Sequence, residues 1–218
     1  METYTPMKKI LGFSSGGAGR EGNVDRMVKA VLEGSGQDTD FVKLSDLSYS
    51  GCKGCVARCA RPQRCMLEDD LLPWYEAIRE ADALVIGTPV YFDAVNGMCF
   101  SFLERFFGYR HVNIPIAGKP VVVIVNGALE LDGAEQQMRR MLGEFFQVKI
   151  EDVVRFQTKV PPCLRCGRHS ECRIGGLYMM LGEDALSVKV KPEMFKRWED
   201  DPDTVAAVEG TARKLREL

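Results

Sequence analysis

Residues 8–24 read KKILGFSSGGAGREGNV, and this stretch decides the fold. Lys8 to Phe13 is a short apolar run that predicts a strand. It leads directly into Ser14-Ser15-Gly16-Gly17-Ala18-Gly19, a glycine-rich loop. Asn23 suits a helix N-cap, and Val24, Met27, Val28, Val31 and Leu32 then recur at helical spacing. A strand that feeds such a loop and then a helix start gathers backbone N–H groups and the positive end of a helix dipole at one point, where an anion binds. Ser14, Ser15 and Asn23 add side-chain hydrogen-bonding groups there, and the glycines permit close backbone approach and positive φ. The lysine of a G-x-x-x-x-G-K-[ST] loop is absent, as is a G-x-G-x-x-G fingerprint, so neither nucleotide motif applies. Alone, the loop reads also as an unliganded surface turn.

Outward from this stretch the chain alternates. Asp40 to Leu44 predicts a second strand, Ser48 to Met66 a loop, and Glu68-Asp69-Asp70 the acidic start of a helix. Ala83 to Gly87 predicts a third strand running into Thr88-Pro89-Val90-Tyr91-Phe92, and Asn96 to Phe107 a helix with Met98, Phe102, Leu103 and Phe106 on a buriable face. Pro120 to Val125, apolar throughout, predicts a central parallel strand ending at Asn126-Gly127-Ala128. Ala134 to Phe146 predicts a helix and Val148 to Phe156 a fifth strand. The order implies an α/β fold with a doubly wound five-stranded parallel sheet and right-handed crossovers. Residues 1–160 are expected to form this domain. Pro161-Pro162 marks the boundary to a cysteine-containing extension, residues 161–218, packed on the core and ending in a helix from Thr204.

Composition removes several classes of function. A formal net charge of −2 gives no basic surface for nucleic acid or anionic lipid. The longest apolar runs, Ala83 to Ile86 and Val121 to Val125, are far short of a membrane span. Met1 to Lys9 lacks the apolar centre of a signal peptide, which leads to the expectation of a cytoplasmic protein without membrane contact.

In an open α/β sheet, ligands bind beyond the carboxyl ends of the strands. Three loops there are rich in small or special residues: Ser14 to Asn23, Thr88 to Asn96, and Asn126 to Leu129. Their combination, Phe13-Ser14-Ser15 through Gly22-Asn23, then Thr88-Pro89-Val90-Tyr91-Phe92, then Asn126-Gly127, resembles the NADPH-dependent FMN reductase family of the flavodoxin-like fold over about residues 7 to 150. The family's first loop typically reads G-S-P-R-x-x-G-N-T and its second S-P-V-Y-F-G. The resemblance implies FMN, with its phosphate at Ser14, Ser15, Gly22, Asn23 and Val24 and its ring against Pro89, Val90, Tyr91, Phe92, Asn126, Gly127 and Ala128, on to Leu129. Val24 replaces the usual threonine and no arginine follows Ser15, so a hydroxyl and a charge are missing from the family's loop.

Seven of the eight cysteines fall into two groups, and clustered thiols without a signal peptide suggest metal or redox use. Cys52, Cys55, Cys59 and Cys65 occupy a single loop, which suits an iron–sulfur cubane, a tetrahedral zinc ion or free thiols. Iron–sulfur flavoproteins of the resembled family carry a compact cysteine motif here, which implies that these four residues are [4Fe–4S] ligands. Those proteins typically space the second and third cysteines by two residues, whereas Val56, Ala57 and Arg58 intervene here. Cys163, Cys166 and Cys172, with His169 between, put a potential ligand at every third position and suit zinc or a second cluster, or are simply packed or exposed. Cys99, among apolar residues, reads as a small core residue.

The flavin would supply the redox chemistry while the protein positions and tunes it, so no acid–base dyad is needed and none is visible. The expected function is an FMN-dependent oxidoreductase relaying electrons from NAD(P)H or a ferredoxin-like donor through FMN and an iron–sulfur cluster. The rivals are a cluster-free NAD(P)H-dependent flavin or quinone reductase and a non-enzymatic flavin or metal-binding carrier. The resemblance also implies a homodimer or homotetramer. Phe100, Phe102, Phe106 and Phe107, more aromatic surface than one sheet face covers, give that some support.

Overall fold

A computed structural model of the chain describes residues 7–218, so most of the Met1 to Lys9 segment lies outside the described residues. Five parallel strands carry the fold: β1 (Lys9–Ser14), β2 (Asp38–Lys43), β3 (Ala83–Tyr91), then β5 (Pro120–Gly127) and β6 (Lys149–Gln157). Their spatial order is β2-β1-β3-β5-β6, and a two-residue strand β4 (Ala94–Val95) folds back antiparallel on β3. The parallel five-stranded sheet is as the sequence predicts; β4 is an addition.

Alternation along the strands divides two cores. Ile10, Ala83, Val85, Val122 and Ile124 face α1 (Asn23–Ser35), whereas Leu11, Phe13, Leu84, Ile86, Val121, Val123 and Val125 face the opposite side. The opposite side is covered by α3 (Leu72–Glu80), α4 (Gly97–Glu104) and α5 (Asp132–Arg139). A short α2 (Val56–Ala60) lies inside the expected 48–66 loop. Phe13, Tyr75, Phe102, Phe106 and Tyr109 form an aromatic stack, with Phe13 and Phe102 centroids 4.8 Å apart. Cys99 is fully buried beside them, and burial pushes its thiol up to about 12.

Two predicted helices shift for local reasons. The helix expected at Glu68 begins at Leu72, because the acidic side chains are committed before it. Asp69 accepts from the N–H of Leu71 and pairs with Arg105, while Asp70 accepts from the N–H of Ser48. The helix expected over 134–146 is α-helical only to Arg139; residues Arg140–Phe145 widen into π-helical turns, closed by the Phe146 N–H on Met141 O.

After β6 the chain makes an excursion through α6 (Cys163–Cys166) and α7 (Gly176–Leu181) and returns in α8 (Pro202–Arg216). Asp201 caps α8 by accepting from the N–H groups of Asp203 and Thr204, and Pro202 sits in the first turn. Trp198, Val208 and Leu215 bury themselves in the core shared with α1. Each contributes about 1.5–3 kcal/mol on burial. The helices approach closely because Gly34 has no side chain; a Cβ there would sit 2.8 Å from Ala212 Cβ.

Gly87 in β3 plays the corresponding part beneath α1. A Cβ would lie 2.6 Å from Val28 Cγ2 and 2.7 Å from Val24 Cγ1. Gly87→Ala is therefore expected to cost about 1–3 kcal/mol in urea unfolding, and Val28→Ala in the same chain should recover part of the loss. A Gly87→Ala variant as stable as the parent would contradict this packing.

Candidate functional site

The strand register brings the three loops together. Ser14 pairs with Gly87 and Pro89 with Asn126, so β1, β3 and β5 end side by side. The first loop is fixed by its backbone: Ser15 N donates to Gly87 O at 2.9 Å, and Asn96 Nδ2 donates to Ser15 O at 3.0 Å. Asn96 is buried, and its Oδ1 also accepts from Cys99 N, capping α4. One amide side chain thus joins the first loop, the second loop and a helix start. The sequence places it at a loop edge but gives no sign of this role.

Ser14 Oγ donates to Asp25 Oδ1 at 2.6 Å and accepts from Gly16 N, and Ser15 Oγ donates to Gly87 O. Asn23 Nδ2 donates to Lys196 O, while its Oδ1 accepts from Arg26 and from Trp198 N. Val24 is a core residue. The side chains expected to face a phosphate are thus turned to protein partners. What faces outward is backbone: the first N–H groups of α1, which have no intrahelical acceptor, and the loop of Gly17 and Gly19, over which a Cβ would meet nothing within 4 Å. This donor set suits a phosphate ester through main-chain contacts and the helix dipole.

The carboxylate under the loop is balanced. Asp25, almost fully buried, accepts from Gly22 N at 2.7 Å and pairs with Lys43 Nζ at 2.9 Å. Lys43 also donates to the carbonyl of Arg20. Without this lysine at the end of β2, a buried negative charge would stand beneath the anion site. An acid in the first helical turn is visible in the sequence; its partner, one strand away, is not.

The second loop is a hairpin. Tyr91 pairs with Ala94, and the two turn residues Phe92 and Asp93 have φ of 55° and 56°, as a type I′ turn demands. A phenylalanine there is unusual. Asp93 holds it by accepting from Gly133 N at the start of α5, leaving Phe92 fully exposed (104%). Tyr91 and Leu129 are exposed beside it, and Pro89 and Val90 are half-buried. In the third loop, Asn126 Nδ2 donates to Phe156 O, and Gly127 closes against Leu131 and Val90, where a Cβ would come within 2.7 Å and 3.1 Å. Ala128 lies half-buried at its edge. The result is an apolar ledge at the strand ends that also carry the glycine-rich loop. A separate cleft of about 420 Å³, lined by Glu130, Arg155, Lys159, Asp201 and Asp203, carries both charge signs and is ill suited to an aromatic ring.

The first cysteine group lies on the α4 side of the core. Cys59 and Cys65 are buried, Cys55 is half-buried and Cys52 exposed. Burial pushes the Cys59 thiol up. Two nitrogens lie against the buried sulfurs: Arg105 Nε donates to Cys65 Sγ at 2.7 Å, and His111 Nε2 lies 3.1 Å from Cys59 Sγ. Arg105 is itself buried; it pairs with Asp69 through both guanidinium nitrogens and donates to Ser50 O. Burial works against its charge, but Asp69, Tyr75 and Cys65 outweigh it and hold the guanidinium protonated. Two glycines let the loop press on this region: a Cβ on Gly108 would be 2.5 Å from Cys65 N, and one on Gly51 2.4 Å from Glu104 Oε2. Among the described residues, no three His, Cys, Asp or Glu side chains converge closely enough as they stand to hold a single ion.

Residues 8–158 match the sequence profile of NADPH-dependent FMN reductase. The chain belongs to this family. It thereby joins a family of FMN-dependent oxidoreductases. Among named relatives, an iron-sulfur flavoprotein of Archaeoglobus fulgidus is 34% identical over 100 residues, 46% of this chain and 49% of that protein. Those of Methanocaldococcus jannaschii and Methanosarcina thermophila are 27% and 29% identical over 61% and 60% of this chain and 69% of each relative. The chain thus spans about half the length of the first relative and somewhat over two thirds of the others. Solved structures agree on the fold. An NADH:FMN oxidoreductase in apo form superposes with a TM-score of 0.56 at 15% identity, covering 96% of this chain and 89% of that one. The NAD(P)H:quinone oxidoreductase of Methanothermobacter marburgensis gives 0.55 at 18% identity, covering 98% and 97%. An archaeal flavodoxin gives 0.51 at 9%, covering 96% of each chain.

Membership in the FMN reductase family fits the strand-end loops more closely than the family's usual side chains suggest. The threonine replaced by Val24 is not missed by the fold, which fills that position with core packing. The residues that sequence reading passes over, Asn96, Asp25, Lys43, Arg105 and His111, are the ones that hold the loops in place. Arg105→Gln and Asp69→Asn are each expected to cost about 3–5 kcal/mol, the penalty of leaving one member of a buried pair alone. The double variant should lose less than the sum of the two. Urea unfolding of the four proteins reads this cycle, and strict additivity would show that the pair is not coupled.

Proposed function

We propose that the chain binds FMN at the ends of β1, β3 and β5 and transfers electrons from a reduced nicotinamide, or a ferredoxin-like protein, to a downstream acceptor. The observation that carries this reading is the in-register convergence of the three loops, which sets backbone anion donors beside an exposed aromatic ledge. The family of the chain supports FMN as the ligand. The α1 N-terminus and Gly17 to Gly22 would receive the phosphate. Lys43 keeps the underlying Asp25 neutralised, so that binding a phosphate does not oppose a bare carboxylate. Tyr91, Phe92 and Leu129 would lie along the ring and shield part of it from water. The flavin supplies one- and two-electron chemistry when bound.

The iron-sulfur names of the relatives, together with four cysteines in one loop, two of them buried, support a [4Fe–4S] cluster on Cys52, Cys55, Cys59 and Cys65. Arg105 and His111 would then donate N–H···S hydrogen bonds to two ligand sulfurs, an arrangement that tunes a cluster's potential. A cluster-free flavin or quinone reductase is the second reading, favoured by the three residues, Val56, Ala57 and Arg58, that separate the second and third cysteines. A homodimer is proposed in either case, with the exposed Phe92 tip as a surface that a second copy can cover.

Protein purified without oxygen should carry near-stoichiometric FMN, with iron and acid-labile sulfide present in the first reading and absent in the second. Cys59→Ser should remove the iron and the broad visible absorbance while flavin stays bound. Phe92→Ala should change stability by no more than about 0.5 kcal/mol, because the side chain is wholly exposed, yet lower FMN affinity several-fold in a fluorescence titration. A folded protein that stays colourless and takes up no added FMN would refute the proposal.

A further inference from the structure

The excursion between β6 and α8 holds the second cysteine group, which the flavin chemistry leaves unused. Its own core is small: Leu164, Leu177 and Ala185 are buried, with Val160, Tyr178, Val188, Met194 and Phe195 partly so. A segment with so little apolar burial needs another source of order. Cys163, Cys166, His169 and Cys172 recur every third residue, and the backbone converts that spacing into proximity. Cys163–Cys166 is one helical turn, Gly167 reverses the chain at φ 74°, and His169–Glu171 is a 3₁₀ turn, in which side chains three apart share a side.

Three local features point to a metal. First, the His169 ring has one nitrogen engaged and the other free. Its Nε2 lies 2.8 Å from Val188 O, and a carbonyl only accepts, so Nε2 carries the proton. Nδ1 is left as a bare lone pair, buried and without a partner among the described residues. A buried acceptor left unsatisfied is costly, and a ring N–H fixed on a carbonyl with the other nitrogen free is how metal-bound histidines are held. Second, two sulfurs crowd one glycine. A Cβ on Gly175 would fall 2.9 Å from Cys163 Sγ and 3.2 Å from Cys172 Sγ. Third, Leu177 N donates to Cys163 Sγ at 3.4 Å, an N–H···S contact of the kind that also holds a ligand sulfur in place.

We propose that Cys163, Cys166, Cys172 and His169 Nδ1 form a structural zinc site that staples the excursion. Three thiolates and one imidazole are a closed tetrahedral set for Zn²⁺, leaving no position for substrate. Binding exchanges three thiol protons for the ion, so the site carries one net negative charge. Arg168, paired with Glu171 at 2.7 Å, stands next to it in the chain. As they stand, the four ligand atoms do not surround one point. Metal binding must therefore draw them inward, and their segments, a single helical turn and a single 3₁₀ turn with Cys166 exposed, are short enough to follow. The site is independent of the first cysteine group and of whether that group holds a cluster.

The test uses the full chain, reduced, with and without added Zn²⁺. Site-resolved alkylation read by mass spectrometry should show Cys163, Cys166 and Cys172 protected together by zinc. Trypsin cleavage after Arg165, Arg168 and Arg173 should slow at least tenfold with zinc and recover with a chelator. In a Cys52→Ser/Cys59→Ser background, one zinc per chain should remain, and Co²⁺ in its place should give the visible absorbance of a tetrahedral thiolate site. His169→Ala should weaken zinc binding at least tenfold, while His169→Cys should retain it. The proposal falls if zinc leaves all three alkylation rates and the tryptic rate unchanged. It falls equally if the metal lost with Cys163 or Cys172 is iron accompanied by acid-labile sulfide, which would mark a second cluster.

Discussion

The absence of a side chain at Gly87 is the constraint on which the rest of the site depends. It allows Val24 and Val28 to rest directly on β3, so that the first turn of α1 lies at the level of the strand ends. Its carbonyl then accepts from both the N–H and the hydroxyl of Ser15, turning the chain from β1 into the loop. Asn96 closes the arrangement from the other side of the same strand. If this loop receives a phosphate, as proposed, its donors are positioned by packing, and no long side chain has to be ordered for binding.

Charge inside the molecule follows one rule, that each buried ion is matched by a partner from a distant segment. Asp25 from the start of α1 meets Lys43 from the end of β2, and Arg105 after α4 meets Asp69 before α3. Such pairs are weak sources of net stability, since desolvation offsets much of the attraction. They are strict about geometry, however. Asp25 serves Ser14, Gly22 and Lys43 at once, and Arg105 ties Ser50, Asp69 and Cys65 into one unit. Each pair therefore fixes a functional loop more than it adds to the free energy of folding.

Much of the fold was legible in the sequence, because the apolar runs of β1, β3 and β5 and the helical spacing after Asn23 are local signals. The positions of the three loops followed from them. The site's internal wiring was not legible, since Asn96, Lys43 and Arg105 act through partners on distant segments that no local pattern reveals. Helix starts failed where an acidic side chain took a tertiary or turn partner instead of a dipole, as with Asp69 and Asp70. The cysteine groups were visible as spacing, but spacing says nothing of Arg105 and His111 directed at two of the sulfurs. The lone pair on His169 is likewise a property of Val188, nineteen residues away along the chain.

The docking of α8 on α1 has a consequence for how the molecule comes to exist. Trp198, Val208 and Leu215 cover a face formed by residues near the start of the chain, and Lys196, Trp198 and Glu199 hold Asn23 and Arg26 in place. During synthesis that face emerges from the ribosome early and waits, greasy and uncovered, until every strand has followed. A chain in which α8 has yet to be made is thus the form most exposed to chaperone capture or aggregation, and the loop at Asn23 acquires its final shape only once residues 196–199 are in place.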